Sequence, residues 1–194
     1  MNAALCAKEA VLEKQDFESL YHETLLNPLE KSGFSIKGRS AFLEKGKVQI
    51  ALIRGGGRFT SEGSISYILA FRHSFLRCKD EKKSAKQPLT AENYPWIFEP
   101  SEVVIPRTHW SFEPNKLMNL PFERLSFISR NAHDIELTLA GIMSGILDNF
   151  IPWAESVSLQ EALKQMRSFS NEWWVAKLWA EDYQAADNQQ SLCT

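Results

Sequence analysis

The chain has 194 residues, 44% of them apolar, which is enough for one domain with a sizeable buried core. Its 22 basic and 24 acidic residues give a formal charge of -2, so no global positive field draws it to nucleic acid or to an anionic membrane. Three cysteines, Cys6, Cys78 and Cys193, are too few and too widely spaced for a disulfide framework or a CxxC zinc site, and they fit a reducing cytoplasm.

The N-terminal "MNAALCAKEAVLEKQDFESL" is interrupted by Lys8, Glu9, Glu13 and Lys14, so it lacks the unbroken apolar core of a secretory signal. From about Ala4 to Lys31 the residues are helix formers, and Phe17, Leu20, Tyr21, Thr24, Leu25 and Leu29 recur at spacings of three and four. Pro28 predicts a kink near Asn27, and Gly33 stands where a helix C-cap is expected. The period then changes to two. Phe34 and Ile36, then Val48, Ile50 and Leu52, then Ile65, Tyr67, Leu69, Phe71, His73 and Phe75 alternate as strands do. "EKGK" is expected to make the first turn of an antiparallel meander, and "IRGGGRFTSEGS", residues 53–64, the second.

Residues 77–100 combine a charge cluster with prolines and no sustained period, which predicts a surface excursion pinned to the body by Trp96, Ile97 and Phe98. Further strands are expected around Glu102 to Phe112 and around Arg124 to Ser129, the first an edge or bulged strand because of Pro106. Asn131 offers an N-cap, with Asp134 meeting the dipole of a helix that runs to about Asn149. Its apolar stretch, Leu137 to Leu147, has roughly half the ~20 residues that a bilayer span needs. Ser158 to about Ala186 reads as one or two Trp-rich helices with a break at Ser168 to Asn171, and residues 187–194 as a frayed tail. The pattern predicts a single α+β domain over 1–194, an antiparallel sheet of about four to five strands with the N-terminal and C-terminal helices on one face. It contains no parallel βαβ unit of the kind dinucleotide sites require.

A phosphate-cradling loop must lead into a helix, but Gly55, Gly56, Gly57 and Gly63 lie between two strands and read as a turn or bulge. Arg54 and Arg58 flank that loop and are the candidates for binding an anion. The histidines His22, His73, His109 and His133 fall in separate elements with no HxxxH or HExxH spacing, so neither a metal site nor a cofactor is expected. His73 shares a strand face with Leu69, Phe71 and Phe75 and reads as a satisfied core or rim histidine. If the strand of His109 pairs beside it, the two imidazoles become the candidates for acid–base work.

No GxSxG, SxxK or reactive-cysteine signature is present, and Cys78, between Arg77 and Lys79, reads as a solvent-exposed spectator thiol. The carboxylates Asp16, Glu18, Glu23, Asp134, Glu136 and Asp148 read as capping and solubility. Gly141 and Gly145 in "GIMSG" permit close approach of another element, expected to be the sheet. "EWWVAKLW" places Trp173, Trp174 and Trp179 on more than one side of a helix, which makes them the candidates for a protein interface.

The segment "LYHETLLNPLEKSGFSIKGRSAFLEKGKVQIALI" resembles the opening of a bacterial family of small proteins known as domain of unknown function 4304. The matching positions are Leu25, Pro28, Leu29, Gly33, Phe34, Lys37, Gly38 and Phe42, and the terminal "WAEDYQAA" is similar to the family's closing helix. The resemblance implies an α+β fold and no established activity. Some small bacterial proteins of this build act as immunity proteins against toxins. These readings together lead to a cytoplasmic bacterial module that is not an enzyme and binds a protein, an immunity-type partner of a toxin, or else homodimerises. The alternative is a small-molecule or phosphoester-processing enzyme in which His73, His109, Arg54 and Arg58 converge in a pocket on the sheet.

Overall fold

The computed structural model of the chain describes residues 12–55, 63–79, 87–106, 113–114, 123–128, 130–169 and 174–191. Helix α1 (Lys14–Tyr21) passes through a π-helical turn (His22–Leu26) into α2 (Asn27–Lys31). Pro28 has no N–H to donate and its ring crowds the preceding turn. The helix widens there, and the Asn27 N–H reaches back to the His22 carbonyl. The kink expected at Asn27 is thus absorbed as one wide turn. Pro152 is accommodated in the same way, by a π-helical turn (Ile146–Phe150) between α3 (Ala132–Gly145) and α4 (Ile151–Ser156). At the end of α2 the N–H groups of Gly33 and Phe34 donate to the carbonyls of Glu30 and Leu29, the C-cap expected from the sequence.

Strands β1 (Ser35–Lys37), β2 (Ser40–Lys45), β3 (Val48–Arg54), β4 (Ser64–His73), β5 (Trp96–Phe98), β6 (Glu113–Pro114) and β7 (Glu123–Ser126) form one antiparallel sheet. Their order is β1-β2-β3-β4-β5-β6, and β7 also pairs with β4. One edge of β4 carries β3, while β7 and β5 divide the other, β7 along Ser64 to Tyr67 and β5 along Leu69 to Phe71. The meander has one turn more than the sequence predicts, because Gly38 and Arg39 already reverse the chain between β1 and β2. "EKGK" then joins β2 to β3.

The strand expected from Glu102 is instead a 3-10 helix (Pro100–Val104). Pro100 opens it with a φ suited to a helix, and Glu99 and Glu102 cap it reciprocally, the Glu99 N–H donating to Glu102 Oε2 at 3.1 Å. Residues 107–112 lie outside the described part. The Asn131 cap forms as expected, its Oδ1 accepting from the Asp134 N–H at 2.8 Å. At the second glycine turn Gly63 adopts φ +82°, and a Cβ there would stand 2.7 Å from the Cβ of Ile128, so geometry and space both demand glycine.

Both faces of the sheet are buried. Leu43, Ile50, Leu52, Leu69, Phe71 and Phe98 belong to the main core with the α-helices. Phe42, Ala51, Ile53, Ile68, Ala70 and Ile97 form a smaller core on the other face, closed by Ala91 and Tyr94. The second half of the expected excursion is therefore a covering layer. Tyr94 Oη donates to the Pro88 carbonyl at 2.9 Å, and Gln87 Nε2 donates to the carbonyls of Leu43 and Ile50. Helices α5 (Leu159–Phe169) and α6 (Trp174–Ser191) pack on each other, and α6 stays helical where a frayed tail is expected. Gln160 Nε2 holds that end through Asp187 Oδ1 at 2.6 Å.

The element that approaches the small residues of α3 is the 3-10 helix, where the sequence predicts the sheet. A Cβ on Gly145 would fall 2.3 Å from the Val103 carbonyl oxygen, whereas one on Gly141 would meet the Val104 side chain at ordinary contact distance, 3.5 Å from Cγ1 and 3.8 Å from Cγ2. The two substitutions are expected to differ in sign. Gly145→Ala should lose about 2 kcal/mol or more in urea unfolding through overpacking against backbone. Gly141→Ala should be neutral or gain up to about 1 kcal/mol from helix propensity.

Candidate functional site

His73 ends β4 on the helix-facing side and is 3% exposed. Its ring stacks on Phe75 and meets Phe71 and Tyr183 edge-on. The direction of its hydrogen bonds follows from donor chemistry. Trp96 Nε1 can only donate, and it does so to Tyr183 Oη at 3.3 Å. The Tyr183 hydroxyl proton then goes to His73 Nδ1, 3.0 Å away, and Nε2–H is left for the Val157 backbone. Burial holds the His73 pKa down at about 4, the bond to Val157 offsets this in part, and the charge of Lys47 lowers it further. At neutral pH the imidazole is uncharged with both nitrogens engaged, the satisfied histidine that its strand position predicts.

Arg54 ends β3 and belongs to the architecture. Its guanidinium grips Glu18 of α1 bidentately, Nη1 to Oε2 at 2.8 Å and Nη2 to Oε1 at 2.7 Å. It also lies 5.1 Å from the centroid of the Tyr21 ring. Burial alone would raise the Glu18 pKa, but the hydrogen bond and charge of Arg54, with Arg39 and Lys14, bring it below the usual carboxylate range. With its side chain 4% exposed and its fork occupied, Arg54 is not available to an external anion. This corrects the sequence reading of Arg54 as an anion ligand and of Glu18 as a solubility residue. The Arg54 end of β3 pairs with Tyr67, and the Val48 end pairs with His73. Six residues of extended chain, about 20 Å, therefore separate the two side chains.

The thiol of Cys78 is likewise reassigned, because it is buried. It lies 3.5 Å from Nη1 of Arg72, a fully buried guanidinium on the second face of the sheet that also donates to the carbonyls of Asn93, Leu76 and His73. Those carbonyls explain how an arginine survives in that core. Among the tryptophans, Trp179 is fully buried and its Nε1 donates to the Arg77 carbonyl at 2.9 Å. It is a core residue and leaves the interface set. Trp174 is 59% exposed at the first position of α6. His109, Arg58 and Trp173 lie outside the described residues.

A cleft of about 320 Å³ opens beside His73, lined also by Lys45, Lys47, Glu155, Ser158 and Gln160. The two lysines are invisible as site residues in the sequence because they sit in an ordinary "EKGK" turn. Only the folding of the α4–α5 junction against that turn makes a concavity of it. Among the described residues no three His, Cys, Asp or Glu side chains gather to hold a metal, and no helix is long and apolar enough to cross a membrane.

Two outcomes are expected. An unfolded imidazole titrates near 6.5 and the folded His73 near 4, so between those values the unfolded chain binds the extra proton and stability falls as the pH drops. The loss from pH 7 to 4.5, read by urea unfolding, should be about 2 kcal/mol smaller in His73→Gln than in the natural chain. Glu18→Ala should cost about 3 kcal/mol because it strands a buried guanidinium, and Glu18→Leu with Arg54→Met should cost less than the two single changes summed.

No protein-family model, no curated protein and no solved structure matches this chain.

Proposed function

We propose that the chain is a non-enzymatic protein-binding module anchored by Trp174, with immunity-type neutralisation of a toxin as the finer form of that reading. The observation that carries it is the Trp174 indole, 59% exposed on the first turn of an eighteen-residue helix. A rigid, amphipathic ring at low entropic cost is the side chain that most often dominates a protein interface. Its helix is well held. Arg77 clamps Asp182 of α6 through Nε at 2.6 Å and through its backbone N–H at 2.8 Å, while Trp179 and Tyr183 bury the inner side. A partner that takes the indole therefore meets a helix already fixed to the body of the protein.

The polar candidates support the same reading from the other side. Arg54 and His73 stand at opposite ends of the β3–β4 pair and are both committed to internal partners, which speaks against a pocket shared by those two residues. The immunity-type form rests on analogy with small bacterial proteins of this general build that act against toxins.

The test is capture of partners from the native cell extract by the tagged chain beside Trp174→Ala. An exposed tryptophan is expected to change the melting temperature little on removal, whereas loss of a hot spot weakens a complex by about 30-fold or more. Retention of a stoichiometric partner by the natural chain and its loss from the folded variant is the expected result. Equal retention by both forms, or no partner with either, sinks the reading.

A further inference from the structure

The cleft beside His73 has a charge balance that the fold did not require. Its walls come from the β2–β3 turn, the end of β4 and the stretch from Glu155 to Gln160. Lys45 Nζ sits 2.9 Å from Glu155 Oε2, so that pair is neutral in sum. Lys47 has no ion-pair partner among the described residues, yet its charge is close enough to His73 to affect the imidazole. The imidazole itself is neutral at pH 7 and spends both nitrogens on Tyr183 and Val157, so it forms an uncharged wall. Summed over the described residues that line it, the cleft therefore carries one uncompensated positive charge. Ser158 adds a hydroxyl, although that oxygen already accepts from the Glu161 N–H at 3.1 Å. Leu159 and Gln160, which also line the cleft, bring first-turn N–H groups of α5, an eleven-residue helix.

We propose that this cleft binds a small molecule bearing an oxyanion, a carboxylate or a phosphate, with Lys47 as its principal counter-charge and the Lys45–Glu155 pair as its rim. The volume sits at the low end of the range for small-molecule sites, which fits a metabolite-sized ligand. Lys47 is exposed at the mouth of the cleft, so its attraction for an anion is that of a solvated charge and is modest in size. Glu155 is the carboxylate of the lining and opposes an incoming anion. Its pairing with Lys45 keeps that opposition small, and its removal should favour binding. The inference is independent of Trp174, which lies on another element and does not line the cleft.

The experiment is a nuclear magnetic resonance titration of the full ¹⁵N-labelled chain with inorganic phosphate and, separately, with acetate, at fixed ionic strength and pH 7. Saturable shifts of the Leu159 and Gln160 amides and of the His73 ring are expected, and the tighter of the two anions identifies the ligand class. Lys47→Ala should weaken binding about fivefold, and Glu155→Gln should tighten it about threefold. The second change is a gain, which a misfolded variant cannot mimic. Shifts that rise without saturation for both anions, or affinities unchanged in both variants, overturn the proposal.

Discussion

Strand β4 is enclosed on both faces and along both edges, and the rest of the molecule is arranged to make that tolerable. From Ile65 to His73 every residue is buried, including Ser66, Arg72 and His73. A polar group in that position must find its partners inside the protein or cost several kcal/mol. Arg72 finds carbonyls of the chain that follows the strand, at Leu76, and of the layer over the second face, at Asn93. His73 finds Tyr183 on α6 and the backbone at the α4–α5 junction. The polar residues of the strand therefore dictate where three distant segments of chain must lie.

The helical layer meets this demand with an unusual amount of aromatic surface. Phe98, Phe150 and Trp153 meet edge-on or tilted at 5.1 to 5.4 Å, Phe71 joins them through Trp153, and Phe17 stacks on Phe127 at 4.3 Å. Two helices reach this cluster with prolines at awkward places, and both solve the problem with a π-helical turn just before the proline. Each wide turn keeps the helix continuous while shifting the face it buries. Leu25 and Leu26 on one turn, and Ile146 and Phe150 on the other, all point into the core as a result.

The same economy bears on function. Several buried or half-buried ionisable groups hold elements together, Arg54 on Glu18, Arg77 on Asp182, His73 on Tyr183. A perturbed imidazole pKa often marks a reactive site. Here the perturbation comes from burial and is matched by complete hydrogen bonding, so it reports packing. Two surface features are suited to binding, a projecting tryptophan and a shallow cleft with a lysine that has no ion-pair partner among the described residues.

Local signals in the sequence determined the change from helical to alternating period, the Gly33 cap, the Asn131 cap, the short strand at Arg124 and the α+β class, because each depends on residues within a few positions of one another. The π-helical turns, the Gly38 hairpin and the 3-10 helix at Pro100 are also local, but their backbone forms compete closely and neighbouring packing selects among them. Residues far apart in the chain decided the rest. That Glu18 is the partner of Arg54, that Cys78 and Trp179 are interior, and that a lysine turn faces the start of α5 all depend on contacts between elements distant in the chain. Periodicity tells which side of an element is apolar. It carries no record of which other element covers that side, and the identity of a site depends on that pairing.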